Sequence, residues 1–173
     1  MPPPVPPSDL PRREKNRLLL LGEFGWNSLT GVGFLTGYHL HRYLTVEGGA
    51  GFSPVKWKFG VRARANLFTG EWTPFVAGGL AYGLGAPDTE ALWLGGGAAF
   101  RYHLLGSPYA QLSAGVDFTG DDGVVFLANL GWSFLLAENV RVTRGTPTEQ
   151  QRRLVDLAFK SGPALSIAFG YAF

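Results

Sequence analysis

Apolar and polar side chains alternate one by one along most of this chain, the period of a β-strand whose two faces meet different surroundings. In VKWKFGVRARANLF, residues 55–68, one face carries Val55, Trp57, Phe59, Val61, Ala63, Ala65 and Leu67. The other carries Lys56, Lys58, Arg62, Arg64 and Asn66. The same period recurs in 18–27, 30–41, 43–52, 72–84, 91–104, 109–119, 124–134 and 164–173, nine runs in all, and no apolar face among them holds a charge.

A soluble sandwich or barrel would bury the aromatic face and turn the other to water, leaving a solvent face rich in Gly and Ala. The inverse arrangement fits the residues better, with the apolar face outward in lipid and the small and polar residues inside a narrow barrel. Lipid-facing Arg or Lys costs roughly 2–4 kcal/mol at the bilayer midplane, which enforces such a separation. Spanning strands need about 9–11 residues, and these runs supply them. Aromatics also gather near run ends, among them Trp26, Tyr38, Phe52, Trp72, Tyr82, Tyr102, Phe118, Trp132 and Tyr171, as in the two girdles of a membrane barrel. Trp93 has the opposite parity and points inward.

Single-chain bacterial barrels close with an even number of strands. ENVRVT, where Val140 and Val142 alternate with Arg141 and Thr143, supplies a tenth strand. The expectation is therefore an all-β, antiparallel, up-and-down transmembrane barrel of ten strands, with eight as the alternative if 140–143 is a loop and another run is displaced. Ten strands place both termini, HR, TGE, LGSP and LLAEN on one side. They place NSL, SP, GAPDTE, GDDG and the longest connection on the other. That long connection predicts a short helix, with Thr146 and Glu149 as a capping box, Pro147 at the first helical position and Gly162 as its stop. Leu154, Val155, Leu157 and Ala158 give it an apolar side, and Arg152, Arg153 and Lys160 a cationic one; it either closes over the barrel mouth or meets lipopolysaccharide phosphates or a surface partner.

Composition adds limits. The chain has 173 residues, 25 Gly, 5 Trp, 6 Tyr, 13 Phe and a net charge of +2, so one β-rich domain is expected and a nucleic-acid partner is not. It has no Cys, which removes disulfides and thiolate metal sites. No apolar run is long enough for a membrane helix. The Pro-rich start is expected to be disordered over 1–16, ahead of a barrel domain at 17–173. A secretion signal removed upstream, with Met1 an expression start, is the accompanying expectation.

The ending LSIAFGYAF resembles the C-terminal signal of bacterial outer-membrane barrels, with Phe169, Tyr171 and Phe173 supplying its alternating aromatics, although Ala168 stands where Gly is frequent. From about residue 17 onward the chain resembles the small OmpA- and OmpX-like barrel domains. The resemblance implies an integral place in the outer membrane of a Gram-negative envelope. It also implies contact with outer-membrane lipids and lipopolysaccharide, and insertion by the barrel-assembly machinery. It implies little about activity, because the fold hosts anchors, adhesins, pores and lipid enzymes.

Inward parity gives a candidate lumen set of Glu23, Glu47 and Asp117 against Lys56, Lys58, Arg62, Arg64, Arg101 and Arg141. In a narrow interior these charges must pair or meet water. A paired network plugs and stiffens the barrel; an unpaired cationic wall favours a small anion-selective pore. The open question is whether Arg62 and Arg64 are neutralised by Glu23 and Glu47. A metal site at His39, His41 and His103 is weak, since the first two share a face but nothing supplies a firm third ligand. A Ser113, His103 and Asp117 set is conceivable, but strand rise separates Asp117 from His103. No catalytic, cofactor or metal residues are assigned, and a structural, anchoring or surface-interaction role is expected ahead of a pore or a lipid-modifying enzyme.

Overall fold

The computed structural model describes residues 12–90 and 101–173. In chain order the elements are α1 (Arg12–Lys15), β1 (Leu18–Trp26), β2 (Val32–His41), β3 (Leu44–Ser53), β4 (Lys56–Asn66), β5 (Trp72–Gly83), β6 (Ala86–Glu90), β7 (Arg101–Leu104), β8 (Ser107–Thr119), β9 (Val124–Leu135), β10 (Val140–Arg144), α2 (Glu149–Phe159) and β11 (Gly162–Ala172). Eight strands close an antiparallel barrel in the order β1-β11-β9-β8-β5-β4-β3-β2. Each barrel strand pairs with its neighbour along the chain, and Leu19 opposite Ala172 begins the register that joins first strand to last.

The barrel thus has eight strands, not ten. Arg101–Leu104, the end of the 91–104 run, and Val140–Arg144 do alternate, but they pair with each other in a separate sheet of order β10-β7-β6. Residues 91–100, including Trp93, lie outside the described residues. Short alternating segments satisfy their backbone in any sheet, so period alone does not say which sheet they join. Losing two strands also swaps sides. The turn at 120–123 lies with the termini, alongside those at 42–43 and 67–71, while 105–106 and 136–161 lie at the opposite mouth.

Side-chain polarity is inverted relative to a soluble protein. Phe34 is 72% exposed and Phe169 68%, whereas Arg64 and Asp117 are wholly buried. The outer face is apolar along the eight strands apart from Thr36 on β2 and Lys56 at the rim of β4. Trp26, Phe52, Trp57, Tyr82 and Trp132 ring it toward the far mouth, and Tyr38, Trp72, Phe118 and Tyr171 toward the terminus side. Trp72 and Phe118, opposite each other in β5 and β8, stack at 4.9 Å between ring centres. Tyr102, grouped with these aromatics on sequence, is instead buried against Phe159 of α2.

Helix α2 starts two residues later than its sequence suggests. Thr148 is the cap: its Oγ1 accepts from the Gln151 amide at 3.3 Å, and Gln151 Oε1 accepts from the Thr148 amide at 2.8 Å. Two overlapping boxes exist, Thr146 with Glu149 and Thr148 with Gln151, and the second is used. Val155 and Phe159 are buried, while Leu157 is exposed. The helix ends at Phe159, and Gly162 opens β11. At the other end of the barrel, residues 12–15, grouped with the Pro-rich lead on sequence, form α1, with Arg12 on rim carboxylates and Arg13 reaching Asp117 inside the lumen.

Candidate functional site: the charged lumen

Eight strands leave an interior just wide enough for side chains to fill. Inward positions are therefore either small or shared with groups from across the barrel. Gly60 shows why: a Cβ there would come within 2.6 Å of the side chain of Leu29, which the β1–β2 turn sends into the lumen. Gly37 leaves space in the same way for Glu47.

Four cations, Arg13, Lys58, Arg62 and Arg64, and three carboxylates, Glu23, Glu47 and Asp117, are buried in the lumen among the described residues. They form a ladder along the axis. Near the far mouth, Lys58 Nζ donates to the Ser28 carbonyl at 2.6 Å and lies 4.9 Å from the centre of the Tyr109 ring. Glu23 accepts from the amide and hydroxyl of Thr30 at 2.9 and 2.6 Å, from Ser28 Oγ at 3.3 Å and from Ser166 Oγ at 3.0 Å. Arg62 Nη1 stands 3.7 Å from Glu23, and its Nε donates to Glu47 Oε2 at 2.5 Å. Glu47 Oε1 lies 2.9 Å from Arg64 Nη2. Arg64 Nη1 in turn donates to Asp117 Oδ2, whose other oxygen accepts from Thr119 at 2.9 Å.

Glu47 is the central rung, because it meets both arginines. The register explains it: Glu47 lies directly opposite Arg62 in the β3–β4 pair, and Arg64 is two residues further along the same face. Both arginines are thus neutralised, with Asp117 completing the second pair and Glu23 engaged mainly by hydroxyls and a backbone amide. Arg64 also rests 5.1 Å from the centre of the Phe75 ring.

Three residues expected in the lumen lie outside it. Lys56 has a left-handed φ of 66° at the β3–β4 turn, which rotates it to the surface over Phe52 and turns Val55 inward instead. Arg101 and Arg141 belong to β7 and β10, outside the barrel wall. Phe169, Tyr171 and Phe173 line the outer face of the last strand.

Arg13 was hidden within the charged run of the lead. It enters from α1, donating from Nε to Asp117 at 3.4 Å and from Nη1 to the Gly70 carbonyl at 3.2 Å. Arg12 meanwhile binds Glu71 at 2.9 Å and also Asp121, whose carboxyl is held below its ordinary value by the Arg12 hydrogen bond. The far mouth is closed by apolar and amide groups: Tyr109 Oη donates to the Phe159 carbonyl at 3.0 Å, and Asn139 Nδ2 donates to Tyr109 Oη at 2.8 Å.

The histidines are dispersed. His39 is buried in the lumen, hydrogen-bonded through Nδ1 to Thr45 at 2.7 Å, while His41 is exposed at the rim. His103 sits at the opposite mouth in β7. Among the described residues no group of three or more His, Cys, Asp or Glu is arranged to hold a metal ion.

No model of a known protein family matches the chain, and no curated protein does. Among solved structures, the chain is similar to the N-terminal β-barrel domain of Pseudomonas aeruginosa OprF, at 15% identity and a TM-score of 0.48, covering 87% of this chain and 92% of that one.

Proposed function

We propose that the chain is an integral outer-membrane barrel with an anchoring or surface-interaction role, sealed rather than conducting. The observation that carries the membrane reading is the inversion of polarity across a closed wall, with charge inside and an outer surface that is apolar between its rims except at Thr36. A soluble monomer rarely shows an apolar patch beyond a few hundred Å², and here the patch encircles the barrel. A closed barrel also leaves no unpaired strand edge in lipid, as a membrane span requires.

The sealed reading rests on the ladder. Arg62, Glu47, Arg64 and Asp117 join β3, β4 and β8 across the lumen, and freeing any one of them would strand a buried charge. The far-mouth loops, α2 and the β10-β7-β6 sheet then form the surface available to a partner. Conductance of the purified, folded protein in planar lipid bilayers tests this. Silence is expected; steady single-channel openings, anion-selective or not, would replace the sealed reading with a pore.

A further inference from the structure

The terminus-side mouth is crossed by α1. Arg12 reaches the β4–β5 turn at Glu71 and the β8–β9 turn at Asp121, while Glu14 stands 3.9 Å from His41 at the end of β2. Arg13 points between them into the lumen and is buried on Asp117. The helix itself, RREK, offers no apolar side chain to anchor it. Its rim contacts are solvent-accessible ion pairs, each worth little and each screened by salt.

Withdrawing Arg13 would not strand a charge. Asp117 keeps Arg64 and Thr119, and the lumen changes from four cations against three carboxylates to three against three. Nearby, Asn66 is buried at the terminus-side end of β4 with neither polar side-chain atom hydrogen-bonded among the described residues, and His39 Nε2 is in the same condition. Such groups are suited to meet water or a polar solute. We propose that α1 is a releasable lid seated by Arg13 on Asp117, and that lifting it admits small solutes to the lower lumen while Glu47 and its two arginines keep the barrel closed above.

The chain has no cysteine, so a single introduced thiol reports access cleanly. Asn66→Cys in the full folded chain would be timed with methanethiosulfonate ethyltrimethylammonium, with and without Arg12→Ala and Arg13→Ala. Labelling should be about tenfold faster once the lid contacts are gone. Raising sodium chloride with the lid residues intact should speed it in the same direction. Ser133→Cys, buried near the far end of β9, serves as the reference and should not change. Equal rates at Asn66→Cys with and without the lid contacts would overturn the lid, as would no response to salt or an equal acceleration at Ser133→Cys. Bilayer silence is expected with the lid present or absent, so a conducting protein would defeat the sealed reading without deciding the lid.

Discussion

Glu47 is the residue on which the interior depends. It is fully buried between Arg62 and Arg64, and replacing it leaves both guanidinium groups short of a partner. Breaking a buried pair from one side costs about 3–5 kcal/mol, so Glu47→Ala should lose roughly that much folding free energy, measured by urea titration in lipid vesicles. Arg12→Ala removes only rim contacts and should cost under about 1 kcal/mol in the same titration. Asp121 offers a pH test with a definite sign. Its folded pKa is depressed by Arg12, so its contribution is present above the ordinary 3.8 and is lost as pH falls through the lower folded value. Carboxyl NMR titration should find Asp121 below 3.8, returning toward it in Arg12→Ala. An unmoved value would contradict the clamp. These partners were only partly legible in the sequence. Parity placed Glu23, Glu47, Lys58, Arg62, Arg64 and Asp117 on inward faces, but Arg13 lay in a charged run with no alternation to mark it. Lys56 obeyed the pattern and still left the lumen, because a left-handed turn residue reverses parity locally.

At the scale of elements, period-2 alternation identified all eight barrel strands and also two segments that are not barrel strands. β7 and β10 alternate because each packs Tyr102, Leu104 or Val140 toward the core, and only the pairing partner reveals that they sit outside the wall. The same limit applied to α2, where two capping boxes overlapped and the residue pattern alone did not say which one would be used. Removing the Thr148 cap should cost about 1 kcal/mol of local helix stability, read as faster amide exchange across Glu149–Phe159 in Thr148→Ala. The strands carry a sharper test. Leu112, in the middle of β8, is 62% exposed and faces outward. If lipid surrounds it, Leu112→Arg should cost roughly 2–4 kcal/mol on folding into vesicles. If water does, an exposed Leu→Arg change should be close to neutral.

For the molecule as a whole, barrel size and interior chemistry determine each other. Eight strands enclose only enough room for side chains, and the charges placed there must neutralise one another within that space. The apolar exterior follows from the same alternation, since every residue not facing the ladder faces out. The most direct measurement is heat-modifiable migration on a denaturing gel after refolding in buffer, in detergent micelles and in lipid vesicles. A compact, fast-migrating form that appears only with detergent or lipid, and converts on boiling, is the expected result. A monomer that reaches the compact form in plain buffer would contradict a membrane barrel.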